Sequence, residues 1–330
     1  MEALIMTAPG GAENTKITEV DVPAPGAGEV SIDVAWAGLN FIDVMARRGD
    51  PGYTAGWPHR PGLEVAGFVR EVGQDVTGIN VGDRVAAVCS GGGLAGTAVA
   101  SAAVTVLVPD EIPLQTAAAV PLGLATSLLL LTHAGRFTAG TSVLVHSAAG
   151  GIGSAIAGLV PLLGGGQLIG TVGSADKAHA AVEAGYETVL LRDDNLEGGI
   201  LAATGGRGVN LILDPLGTTC LGLDLEVAAP GGRIVLFGNA TGGAMADLPP
   251  VGSLIRGNLA ISGFSHRGLT ADAPKDVARS IRQMLEFLAS GRFGFPVTEL
   301  KSLHDVSDAY DLLATGRGTG KYVAAVSGVR

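Results

Sequence analysis

The 330-residue chain carries 52 glycines and 16 prolines, yet 47% of it is hydrophobic, 16% is charged and its mean hydropathy is +0.41. That combination excludes a disordered linker, which needs low hydrophobicity and high charge, and the length predicts two cores. The net charge of −10 is spread without runs, which argues against a nucleic-acid groove, and the two cysteines, Cys89 and Cys220, are too few for a disulfide framework or a four-cysteine zinc lobe. The first residues include Glu2 and lack the basic and apolar regions of a leader, so a cytoplasmic location is expected.

In chain order, the first third reads as β-rich. Val-rich or alternating runs at 30–37, 63–72, 83–88 and 103–108 are bounded by Gly, Pro and Asp turn signals. From about residue 141 the pattern changes to strands spaced by helices, at 142–146, 167–172, 188–191, 209–214, 233–238 and 260–264. Six strands joined this way predict a doubly wound parallel sheet. Apolar residues at Val277, Ile281, Leu285 and Leu288 make a helical stripe over 273–290 that Gly291 ends; a helix at 304–314 and a strand at 322–326 follow. Residues 137–175 hold no Asp, Glu, Lys or Arg, but the glycines and Pro161 break up any span of lipid, and no membrane segment is expected. Pro161 with Gly164, Gly165 and Gly166 should end its helix early.

The strongest motif is His146-Ser-Ala-Ala-Gly-Gly-Ile-Gly153, between an apolar strand and an apolar helix. Ala148, Gly150 and Gly153 give A-x-G-x-x-G, with Gly151 and Ile152 between the last two. A turn of this kind brings bare backbone N–H groups against a pyrophosphate at a helix N-terminus, where side chains would block the approach. About twenty residues on, where a free ribose 2′-hydroxyl calls for an acid, the chain offers Ser174 and Lys177. These favour a 2′-phosphate and therefore NADPH over NADH. A solvated Lys177 is the other reading, and Asp176 suits the first turn of the next helix.

Taken together, Ala37-Gly-Leu-Asn-Phe-Ile-Asp43, Arg60-Pro-Gly-Leu-Glu-Val-Ala-Gly67, Gly82-Asp-Arg-Val85, the glycine turn, Ser174-Ala-Asp-Lys177 and Phe237-Gly-Asn239 resemble the zinc-independent medium-chain dehydrogenase/reductases. Within them the likeness is to the quinone oxidoreductase group, which includes zeta-crystallin-like proteins and polyketide enoyl reductases. It implies an α/β chain with a GroES-like β-rich catalytic domain at 1–121, a doubly wound Rossmann domain binding NADPH at 122–264, and a return to the catalytic domain at 265–330. It further implies a homodimer acting on a small-molecule substrate. The leading expectation is NADPH-dependent hydride transfer to a quinone or α,β-unsaturated carbonyl; a non-catalytic NADPH-binding protein is the alternative.

Zinc-bearing relatives carry a cysteine where this chain has Asn40 and a histidine where it has Leu63, so no metal is expected. By resemblance Asn40 lies beside the nicotinamide ribose and Thr126 near the nicotinamide, while Phe237, Gly238 and Asn239 end the fifth strand on the cofactor side. Arg192 falls near the adenosine phosphate, or else is solvated beside Asp193. Lys321 matches a Gly-Lys near the cleft, or is a surface lysine, and Phe264 is a weaker cofactor contact. Tyr53 is the preferred proton or hydrogen-bond donor to the substrate carbonyl, against a purely packed loop tyrosine. Met45 stands where a relative has a second tyrosine.

Overall fold

The computed structural model describes residues 1–326. An antiparallel pair, β1 (Glu2–Met6) and β2 (Thr15–Glu19), is followed by β3 (Glu29–Gly38), β4 (Glu64–Val72), β5 (Arg84–Cys89) and β6 (Thr97–Leu107). Then come β7 (Val143–His146), β8 (Leu168–Val172), β9 (Thr188–Leu191), β10 (Val209–Asp214), β11 (Ala228–Leu236) and β12 (Ala260–Gly263), and finally β13 (Val297–Leu300) and β14 (Lys321–Ala325). The chain divides into two compact units, Met1–Thr126 with the chain from His266 onward, and Ser127–Ser265.

In the first unit a six-stranded sheet runs β13-β14-β3-β4-β5-β6, and an additional β3–β6 pairing closes the last four strands on themselves. Alternation fills the interior: Val30, Ile32 and Val34 of β3, Val65 of β4 and Val85 of β5 are fully buried. Each such side chain contributes on the order of 1.5–3 kcal/mol by leaving water. The helix Phe41–Arg48 starts immediately after β3, with the Asp43 carboxylate accepting the Asn40 N–H at 3.3 Å and Gly49 closing the far end at φ 81°. That cap fixes Asn40 at the mouth of the barrel strands.

The second unit is a wholly parallel sheet in the order β12-β11-β10-β7-β8-β9, the doubly wound order with β7 as its first strand. Val143, Leu144 and Val145 are all buried, as are all residues of β8, which is why both strands read as continuous apolar runs. The helix Gly151–Leu162 runs through Pro161 rather than stopping before it. The proline falls in the last turn, where only one helical bond is forfeited, and Gly164 at φ 76° then turns the chain. β6 is longer than its predicted 103–108, and β1, β2 and β13, short strands with weak alternation, are additions to the sequence reading. Among the described residues no helix is long and apolar enough to cross a membrane.

Candidate functional site

The glycine turn leaves β7, the strand from which the sheet is wound in both directions. Ser147 sits at φ 60°, the Gly150 N–H donates to the Ser147 carbonyl at 2.9 Å, and the Ala148 N–H donates to the Thr171 carbonyl at 3.0 Å on β8. A Cβ on Gly153 would lie 2.5 Å from the Ala148 oxygen and 2.6 Å from that of Ser147, so only glycine lets this turn close. Gly151, Ile152 and Gly153 open the twelve-residue helix, and first-turn N–H groups have no intrahelical acceptor. Such a terminus stabilises an anion through its N–H groups and its dipole.

β8 and β9 pair in parallel with Val172 opposite Leu191, which brings the residues after each strand to the same end of the sheet. Ser174 follows β8 with its hydroxyl making no cap bond, Lys177 comes three residues later, and Arg192 follows β9. The Arg192 Nη1 donates to Thr171 Oγ1 at 3.4 Å, and Nη2 lies 2.7 Å from where a Cβ on Gly173 would be. Glycine at 173 therefore makes room for the guanidinium. Burial and then the Arg192 charge lower the Lys177 pKa, and burial lowers that of Arg192. Two partly desolvated cations beside an exposed hydroxyl have the chemistry to accept a dianion.

Behind this surface lies a polar network that the sequence reading passed over. His146 is fully buried, with Nδ1 2.8 Å from Thr171 Oγ1 and Nε2 2.9 Å from Asp224 Oδ1. Asp214, at the end of β10, accepts the Leu216 N–H at 2.6 Å, while its Oδ2 and that of Asp224 are buried without a donor. Burial and the Asp224 carboxylate push the Asp214 pKa up from 3.8 to about 6. Between those values the folded chain holds a proton that the unfolded chain has released. Stability therefore falls as pH rises from about 4 to 6, by an amount on the order of 1–3 kcal/mol. Asp214→Asn keeps an oxygen for the Leu216 N–H and should flatten that slope, as read from urea midpoints at several pH values. An unchanged slope would remove Asp214 from this account.

Phe237, Gly238 and Asn239 follow β11, and Phe264 follows β12, at the carboxyl ends of adjacent strands. The Phe237 N–H donates to the Asp214 carbonyl at 3.0 Å and that of Phe264 to the Leu236 carbonyl at 2.9 Å. The Asn239 amide is engaged in its own loop, donating to the Gly243 carbonyl at 2.8 Å and accepting from Thr241 Oγ1 at 3.4 Å.

The first unit gathers a second cluster. Lys321, at the start of β14, is buried and donates to the Leu39 carbonyl at 2.7 Å, to Asn40 Oδ1 at 2.7 Å and to Glu64 Oε1. Asn40 Nδ2 donates to the same Glu64 oxygen at 2.9 Å, and Glu64 Oε2 accepts the Leu122 and Gly123 N–H groups at 2.7 and 3.2 Å. Lys321 is thus a core residue and not a surface lysine, and its ammonium and Glu64 together orient the Asn40 amide. Thr126 is buried in the helix Ala125–Leu129, next to the π-helical turn Val120–Leu124.

Tyr53 lies in the loop after the helix Phe41–Arg48. Its N–H donates to the Asp50 carbonyl at 3.4 Å, and its side chain lines a cleft of about 390 Å³ with His59, Arg60 and Leu94. Burial, with Asp50 adding to it, raises the phenol pKa. The Trp57 ring stands edge-on to His59 at 6.2 Å.

Two family models match the chain: the alcohol dehydrogenase GroES-like domain over residues 26–110 and the zinc-binding dehydrogenase domain over residues 151–290. A quinone oxidoreductase of Pseudomonas aeruginosa is 33% identical over 95% of this chain and 96% of its own length. A phenolphthiocerol/phthiocerol polyketide synthase subunit of Mycobacterium tuberculosis is 32% identical over 96% of this chain, which spans only 14% of that subunit. The crystal structure of Escherichia coli quinone oxidoreductase complexed with NADPH superposes with a TM-score of 0.90 at 27% identity, covering 98% of this chain and 100% of that one. The closed GroES-like sheet, the parallel sheet wound outward from β7 and this end-to-end likeness agree, and the chain belongs to the medium-chain dehydrogenase/reductase family, in its quinone oxidoreductase and enoyl reductase branch.

Proposed function

We propose that this chain is an NADPH-dependent reductase of quinones or α,β-unsaturated carbonyls that works without zinc. The observation that carries the cofactor is the convergence of Ser174, Lys177 and Arg192 beside the glycine turn, a site with two cations and an exposed hydroxyl. Bound NADPH would supply the hydride. Gly151, Ile152 and Gly153 would hold its pyrophosphate, and the cation pair its 2′-phosphate. Asn40, fixed by Lys321 and Glu64, is a positioning contact for the nicotinamide ribose, and Thr126 for the ring. The donor set where zinc relatives bind metal does not fit zinc: Leu63 has no donor atom, and the Asn40 and Glu64 oxygens are occupied by the Lys321 ammonium.

Without a Lewis acid, charge building on the acceptor oxygen must be met by a proton or hydrogen-bond donor, and Tyr53 is the residue proposed for it. A quinone needs this least, because its reduced form takes protons from water. With NADPH and a chelator present, the protein should reduce a simple enone or 9,10-phenanthrenequinone. Tyr53→Phe should lower kcat/KM for the enone about tenfold, with a smaller loss for the quinone. Equal losses on both would remove Tyr53 from the chemistry. Tight NADPH binding without any turnover would favour a non-catalytic NADPH-binding protein, and no binding at all would end the proposal.

A further inference from the structure

The cleft that Tyr53 lines is cationic in a chain whose net charge is −10. No Asp or Glu is among its lining residues, whereas Arg60 and Arg267 are. Of the ten described arginines of this unit, five have an acidic partner, among them Arg47 with Asp311, Arg48 with Asp50, and Arg84 with Asp110 at 3.2 Å. Among the described residues neither the Arg60 nor the Arg267 guanidinium has an ion-pair or hydrogen-bond partner, and both residues are exposed.

Their backbones, by contrast, are held. The residue before Arg60, His59, exchanges both backbone bonds with Met6, at 2.8 and 2.9 Å, and the Arg60 carbonyl accepts the Gly92 N–H at 3.0 Å. Arg267 follows the buried His266 at the start of the helix His266–Asp272. Two exposed guanidinium groups on held backbone, in one cleft with no Asp or Glu among its described lining residues, form an anion receptor, and guanidinium suits phosphate and carboxylate alike because its fork matches both.

We infer that the substrate carries an anionic group remote from the reacting carbonyl, held by Arg60 and Arg267 while the carbonyl lies toward Tyr53. This rests on the reading of the chain as a reductase of activated carbonyls. It singles out acceptors bearing a phosphate, as on a phosphorylated carrier arm, or a carboxylate on the acyl chain itself, and disfavours neutral quinones as the best substrates.

Matched pairs test it. Crotonyl pantetheine 4′-phosphate is compared with crotonyl pantetheine, and 4-oxo-2-pentenoic acid with its methyl ester, each with saturating NADPH. In one pair the anionic member should have a KM about tenfold lower or better, and about 0.5 M KCl should erode that advantage in the unaltered protein. In Arg60→Ala/Arg267→Ala the ratio of the two KM values should fall below about threefold. The pair that shows the effect distinguishes phosphate from carboxylate. Calorimetric titration with butyryl pantetheine and its 4′-phosphate, which cannot turn over, should give the same ranking if phosphate is the group. Ratios near one in both pairs, or a ratio that survives the double substitution or high salt, would overturn the inference. Consumption of NADPH with 9,10-phenanthrenequinone in the same preparation separates that outcome from failure of the reductase reading, in which no acceptor is reduced.

Discussion

Lys321→Met should destabilise the GroES-like unit by about 3 kcal/mol, the cost of leaving a buried carboxylate without its cation. Glu64 is fully buried and Lys321 is 5% exposed, so water cannot take over the charge. The loss is moderated because Leu122, Gly123 and Asn40 still donate to the carboxylate. A simple packing role and an electrostatic one predict different behaviour in the double variant. Glu64→Gln/Lys321→Met removes both charges while the glutamine oxygen can still accept the Leu122 or Gly123 N–H. If the penalty is an unpaired charge, the double variant should recover at least half of the lost stability in urea denaturation; if it is lost packing, the two changes should add. The cofactor side gives a second reading. In Lys321→Met the Asn40 Oδ1 loses its ammonium donor, so the KM for NADPH should rise while kcat with a saturating quinone changes less. A fall in kcat alone would place Lys321 in the chemistry rather than in positioning Asn40.

How far this cluster could be read in the sequence depends on separation. The glycine turn was legible because its parts are consecutive and each has a local reason, from the apolar run of β7 to the closure that Gly153 permits. The parallel sheet was legible because β7 and β8, covered on both faces, are apolar throughout. Lys321 and Glu64 are 257 positions apart, and neither residue's local pattern announces a partner. Only the register of β14 against β3 and of β3 against β4 brings them together, with Val323 opposite Gly38 and Gly38 opposite Glu64. Asp214 left a fainter trace, a charged residue closing the apolar run of β10, whereas Asp224 lies in a helix and meets His146 only through tertiary packing. Arg60 opens one of the motifs that carry the resemblance, but nothing in its local pattern or in that of Arg267 announces that the two line one cleft.

Lys177→Ala/Arg192→Ala should abolish most of the preference for NADPH over NADH, and this is the largest effect expected on the cofactor. A charge-assisted hydrogen bond contributes about 1.5–3 kcal/mol, so two of them to one phosphate amount to a factor of roughly 10² to 10⁴ in the ratio of kcat/KM values. The change should fall on NADPH and leave NADH nearly untouched, because NADH has no 2′-phosphate for either cation to meet. The single variants should be unequal. Arg192 is tied to Thr171 and packed over Gly173, so it is the pre-oriented member, and Arg192→Ala should cost more than Lys177→Ala. Removing Arg192 also relieves the repulsion that, after burial, lowers the pKa of Lys177, which makes that lysine easier to keep charged in the absence of ligand. The apoprotein of Lys177→Ala should melt no lower than the unaltered protein, because that lysine is partly desolvated and repelled by Arg192, even as its NADPH-induced rise in Tm shrinks. Equal loss with both cofactors would mean that the pair supports the fold of the β8 and β9 ends; loss with NADPH alone, together with an undiminished apo Tm, would mean that it is held for the phosphate.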